Sequence, residues 1–297
     1  IKNGEGNRMG EFVILTDNTV DLPASWMEER EVDCEYLPCT VDGIVYDKKN
    51  KIEICEFYKK MREGSMPTTS QINPTQAETF FESFLQEGKD ILYIAFSSGL
   101  SGTYSSCTIA AEELKQKYPD RRIEVIDTLA ASMGEGLILY YAVKMKQEGK
   151  NMDEIISWIL ENRCHVCHVF TVDDLNHLHR GGRVSKATAV LGTLVNIKPM
   201  LHVDEEGKLT ALGKVRGRKK SLSGLISMME ERIGAYRESN DVIYICHGDC
   251  EEDAEYVASL VRKKFGYENI LINPIGPTIG AHAGPGTVGV FFLGDHR

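Results

Sequence analysis

Short apolar runs alternate with single-faced apolar stripes through the first half of the chain. Phe12 to Thr16 reads as a strand that closes at Asp17-Asn18-Thr19. Pro23 opens a helix reaching about Arg30, and Cys34 to Val41 is extended again, ending at the Asp42-Gly43 turn. A helix near Cys55 to Arg62 precedes the polar stretch Met66 to Gln71. Pro74 then starts a helix whose Ala77, Phe80, Phe81, Phe84 and Leu85 share one face. Ile91 to Phe96 and Arg122 to Ile126 read as strands flanking a helix over Ser105 to Lys117. Strands alternating with crossover helices predict an α/β domain, a parallel sheet covered on both faces.

The second half has a different rhythm. A helix carrying Met152, Ile155, Ile156 and Ile159 closes the first domain. Cys164 to Val172 reads as a buried strand, followed by a short helix over Asp173 to His179 and the turn Arg180-Gly181-Gly182-Arg183. Pro199 to Val203 and Leu209 to Val215 flank Asp204-Glu205-Glu206-Gly207 as a hairpin. Two single-faced helices run through Leu222 to Ile233 and Ala254 to Phe265, with strands at Val242 to Cys246, Asn269 to Ile272 and Val288 to Leu293. The expected layout is a parallel α/β domain over 9–162 and an α+β domain with a mixed or antiparallel sheet over 163–297, a ligand between them.

The densest chemistry lies where the Ile91 strand turns into its helix. Ser97-Ser98-Gly99-Leu100-Ser101-Gly102-Thr103-Tyr104 holds four aliphatic hydroxyls and two glycines in eight residues. A helix N-terminus presents unpaired N–H groups and partial positive charge, so hydroxyls there make an anion pocket. N-capping alone explains one such serine, not the whole set. In a parallel sheet, ligands sit beyond the carboxyl ends of the strands, where Asp17-Asn18-Thr19, Ser97-Ser98 and Asp127-Thr128 all fall.

Composition narrows the classes. The 297 residues are 42% hydrophobic and 26% charged, enough for two ordinary cores. A net charge of −10 argues against nucleic acid as the main partner. No apolar run is long enough to span a bilayer. Residues 1–10 lack the apolar core of a signal peptide, and Met9 reads as the native start; the chain is therefore expected in the cytoplasm with its eight cysteines reduced. Cys164-His165-Val166-Cys167-His168 matches the spacing of c-type haem attachment, but it falls in a buried strand and has no second ligand pair at finger-like spacing. No metal and no cofactor is expected, and the cysteines read as small core residues.

Three other patterns fail or stay open. A nucleophile elbow centred on Ser101 needs a glycine where Thr103 stands. No phosphate-binding P-loop is present. Gly284-Pro285-Gly286-Thr287-Val288-Gly289 precedes a strand instead of opening a helix, so it is no dinucleotide fingerprint. Thr68, Thr69 and Ser70 form a second hydroxyl cluster, readable as caps for the next helix or as ligand contacts. His282 sits in the glycine-rich stretch Gly280 to Gly284, expected to be a loop. Arg180 and Arg183 suit a phosphate or an acidic partner, or plain solvent. Arg216 to Lys220 reads as the exposed start of a helix.

Together these motifs resemble the DegV family of bacterial fatty-acid-binding proteins, over nearly the whole chain from Phe12. The resemblance is carried by Thr16-Asp17-Asn18-Thr19 with Asp21-Leu22-Pro23, Pro67 to Gln71, and Ser97 to Thr103. It continues through Val172 to Leu175 with Leu178, Arg180 to Arg183, Lys198-Pro199, Arg216 with Arg218-Lys219-Lys220, and His282 with Gly284. It implies a non-enzymatic carrier with a long-chain fatty acid buried between two domains, its carboxylate phosphorylated by a partner fatty acid kinase to an acyl phosphate for phospholipid synthesis. It implies carboxylate binding at Thr69 or Ser70 and at Ser98, with His282 nearby, and partner or phosphate contact at Arg180 and Arg183. Ile72 stands where the family usually has proline, which implies a looser first hydroxyl loop. The alternatives are a hydrolase or acyltransferase using Ser98 or Ser101 with His282, and a nucleotide-binding regulator.

Overall fold

The computed structural model describes residues 11–185 and 196–297; Met9 and the residues before it lie outside that range. Four parallel strands form the first sheet, in the order β2-β1-β6-β7: β1 (Phe12–Asp17), β2 (Asp33–Glu35), β6 (Asp90–Ala95) and β7 (Ile123–Asp127). Its helices are α1 (Ala24–Glu29), α2 (Ile54–Arg62), α3 (Pro74–Gln86), α4 (Thr103–Lys117), α5 (Met133–Gln147) and α6 (Met152–Asn162). Two separate apolar clusters cover the sheet. One joins Ile14, Leu92 and Ile94 to α5, and the other joins Leu15, Ile91 and Tyr93 to α3 and α4. This is the doubly covered parallel sheet that the alternating pattern implies.

A six-stranded mixed sheet follows, in the order β10-β9-β8-β13-β11-β12. Its strands are β8 (Val166–Thr171), β9 (Ile197–Val203), β10 (Leu209–Arg216), β11 (Ile243–His247), β12 (Ile270–Pro274) and β13 (Val288–Leu293). Only β11 and β12 pair in parallel. With it go α7 (Asn176–Arg180), α8 (Arg218–Ile233), α9 (Glu251–Phe265) and α10 (Pro277–Ala283).

The structure departs from the sequence reading at several places. Helix α5 has no clear stripe to reveal it: Met133 to Leu139 and Tyr141 to Val143 are buried on every side. Thr68–Thr69 forms a short strand, β5, rather than a cap. It pairs with β3 (Cys39–Val41), which also pairs with β4 (Ile44–Tyr46), while Asn73 caps α3 through the Gln76 N–H. His282 lies on α10 and not in a loop, because Pro277 sets the first turn of a helix there. Ile72 is fully buried and its N–H reaches Thr103 Oγ1 at 3.3 Å, a bond proline would lack; the loop is anchored at that point.

Candidate functional site

The parallel strands end together. Asp127 pairs with Ala95, and the chain leaving β6 turns through Ser97 to Gly102 before entering α4. Ser97 is fully buried, and its hydroxyl donates to Gly207 O at 2.8 Å, in the turn between β9 and β10. A β-carbon on Gly99 would come within 2.7 Å of Glu206 O, so glycine lets the two layers approach there. Ser98 is exposed, and its N–H bonds Asp127 Oδ1.

Between the layers lies a cavity offering about 260 Å³ to the centres of water-sized spheres, and about 1070 Å³ of space with its open mouth included. That is far more than a packing defect, which holds a water or two. Its walls are mainly apolar: Leu37, Phe96, Phe170, Leu178, Ile275 and Phe291 are among them. Thr69, Ser70, Ser101, Arg183 and His282 are among its polar lining residues. Ser98 does not line the cavity; Ser101 is the serine of its loop that does, with Oγ 3.0 Å from Thr103 Oγ1. The expected set is thus brought together at Thr69, Ser70 and His282, and Ser98 stays at the surface because Ser97 and Gly99 hold that corner against the neighbouring turn.

Thr69 Oγ1 and His282 Nε2 are 2.6 Å apart. His282 is held down to a pKa of about 4, first by burial and then by Arg183 and Arg180, so the ring is neutral at ordinary pH. Among the described residues its buried Nδ1 has no partner. A bare acceptor is cheaper to leave unpaired than an N–H, which places the proton on Nε2. The imidazole then donates to Thr69 Oγ1, and the threonine proton is free for a ligand acceptor. Ser70 is exposed, with its N–H on Pro38 O at 3.0 Å.

Arg183 joins this cluster and Arg180 does not. Arg183 is half-buried, donating through Nε to Leu100 O at 3.1 Å and through a terminal nitrogen to Gly181 O, and burial lowers its pKa. Arg180 is exposed at the end of α7, beside His177. Deeper in the wall, His168 accepts from Ala131 N–H and donates from Nδ1 to Val166 O, a fully partnered neutral ring.

The arrangement is poor for nucleophilic catalysis. His282 bonds neither Ser98 nor Ser101, among the described residues its second nitrogen has no acid to orient it, and an imidazolium there would be repelled by Arg183 and, from farther out, by Arg180. Among the described residues there is no group of three or more His, Cys, Asp or Glu side chains placed to hold a metal ion. No described helix is long and apolar enough to cross a membrane.

Comparison with known proteins agrees with the fold. A profile described as an uncharacterised protein family, DegV, matches residues 11–295. A DegV domain-containing protein of Clostridium perfringens is 48% identical over 291 residues, which cover 97% of this chain and 99% of the relative. A DegV family protein of Thermus thermophilus, whose structure is described as fatty acid binding, superposes with a TM-score of 0.83 at 31% identity, covering 96% of this chain and 99% of that one. A DegV lipid-binding protein of Thermotoga maritima gives 0.81 at 32% identity, with 97% and 99% coverage. This chain belongs to the DegV family.

Proposed function

We propose that this protein is a fatty-acid carrier that presents its ligand to a kinase. The acyl tail lies in the apolar cavity, and the carboxylate is received by Thr69, Ser70 and Ser101, with His282 orienting Thr69. At ~0.8 kcal/mol per buried CH₂, a long chain supplies ~10 kcal/mol before the costs of association. A carboxylate buried unpaired would cancel that gain, so neutral hydroxyl donors and a nearby arginine are the needed complement. The observation that carries this reading is the Thr69–His282 pair on the lining of an apolar cavity, with no strong base beside it. The Thermus and Thermotoga relatives, described as fatty acid binding and lipid binding, support the ligand class.

In this reading the protein performs no chemistry itself. Arg183, and Arg180 outside it, meet the partner fatty acid kinase or the new acyl phosphate. On this reading the carrier works in the cytoplasm, with the ligand between a domain of residues 9–162 and one of 163–297. Mass spectrometry of the denatured protein should release a long-chain fatty acid, and adding a fatty acid kinase with ATP should convert it to acyl phosphate. A protein that carries no fatty acid and takes none from solution would overturn the reading. A protein that binds the acid but never yields acyl phosphate with any such kinase would remove the presenting role.

A further inference from the structure

The loop Asp17 to Asp21 contributes no residue to the cavity lining, yet hydrogen bonds from it reach four residues that do. Asp17 Oδ2 accepts the Phe96 N–H at 3.1 Å. Asn18 Oδ1 accepts the Leu37 N–H at 2.9 Å, and its Nδ2 donates to Thr278 Oγ1 at 2.9 Å. Thr278 Oγ1 in turn donates to Leu37 O at 3.0 Å, closing a ring of three bonds. Asp21 Oδ2 accepts from Ser132 Oγ at 2.6 Å.

The same loop fastens α10, the helix that carries His282. Asp21 Oδ1 takes the Gly276 N–H at 2.8 Å, and Asp21 O takes Asn273 Nδ2 at 2.7 Å, both just ahead of that helix. Thr278, held by Asn18, lies one helical turn before His282. Helix α10 joins β12 to β13 in the mixed sheet and packs on both layers, against α7 on one side and against Phe57 and Tyr58 at Gly280 on the other. The second half of the chain therefore supplies His282, and the first sheet's opening loop bonds the helix that carries it.

We propose that Asn18 and Asp21 are positioning residues for the carboxylate site: they seat α10 so that His282 meets Thr69. This rests on the carrier reading, and it explains why a loop that lines none of this cavity is so densely wired to its walls.

The test combines two measurements on the full chain. Radiolabelled oleate release to phosphatidylcholine vesicles reports retention, and NMR titration of the His282 imidazole in ligand-free protein reports its seat. Asn18→Ala and Asp21→Ala should speed release by about tenfold, the factor matching one lost buried hydrogen bond. They should also move the His282 titration from about 4 toward its ordinary 6.5, as the ring leaves Arg183 and its burial. Asp21→Asn keeps an acceptor for Gly276 N–H and offers a donor to Ser132, so it should behave as wild type in both. An unmoved His282 titration in folded Asn18→Ala and Asp21→Ala would overturn the proposal, even where thermal stability falls. If the unaltered protein binds no oleate, the carrier reading fails, and the titration still decides the positioning role.

Discussion

Gly181 packs so tightly against His282 that a β-carbon on it would collide with Nδ1 of the imidazole. Its φ is −73°, a value any residue adopts, so the glycine is there for space and not for backbone freedom. Gly182 is the reverse case, with φ +76° and nothing within 4 Å of a would-be β-carbon. Gly181→Ala should fold normally but displace either the ring from Thr69 or the arginine turn from the ring. Fatty-acid retention should fall by about tenfold, roughly one hydrogen bond. Gly182→Ala should cost about 1 kcal/mol of stability and leave retention intact. Paired denaturation and release assays separate the two, and equal retention in both variants would remove the contact from the site.

The two serines of the hydroxyl loop should also part company. Ser101 lines the cavity, whereas Ser98 faces solvent. Ser101→Ala should weaken fatty-acid retention by several-fold, with unchanged circular dichroism. Ser98→Ala should be silent, since among the described residues its one hydrogen bond is from the backbone N–H, to Asp127 Oδ1. The opposite ranking would return the carboxylate to the sheet edge.

His282 should make the fold sensitive to acid. Its folded pKa of about 4 lies below the ordinary 6.5, so the unfolded chain binds this proton more tightly. Stability from this group is present above pH 6.5 and lost as pH falls toward 4. His282→Gln should remove that component, so the difference in unfolding free energy between variant and parent changes across this window and is flat above it. A difference that stays constant from neutral to acid pH would mean the ring is not buried among cations.

Periodicity made both sheets legible because most of their helices keep one wet face: the stripe of Ala77, Phe80, Phe81 and Leu85 points into the core as read. Helix α5 escaped because burial on all sides erases the stripe. The family-level motifs brought Thr69, Ser70 and His282 together, although they lie more than two hundred positions apart along the chain. Local chemistry did not rank Ser98 against Ser101, because the turn at Glu206 and Gly207 against which Ser97 and Gly99 pack belongs to the other sheet's hairpin. The same holds for Asp17 to Asp21: their spacing shows a strand end, but their partners, Thr278 and Gly276, are distant in sequence.

Asp21 gives the last prediction, and its sign is opposite to that of a surface carboxylate. Burial raises its pKa from 3.8 to about 7, against the bonds from Ser132 and Gly276 that favour the charge, with Asp17 adding repulsion. The folded state therefore holds this proton more tightly than the unfolded chain does. That stabilisation is complete below pH 3.8, shrinks as pH rises, and is gone above about 7, where ionised Asp21 is a standing cost. Asp21→Asn imitates the protonated acid at every pH. Relative to the parent, the variant should gain stability steadily between about pH 4 and 7 and hold that gain at higher pH. Urea unfolding at a series of pH values measures the difference directly. A variant whose disadvantage grew with pH would show that Asp21 is ionised and stabilising in the folded protein, its two donors outweighing its burial.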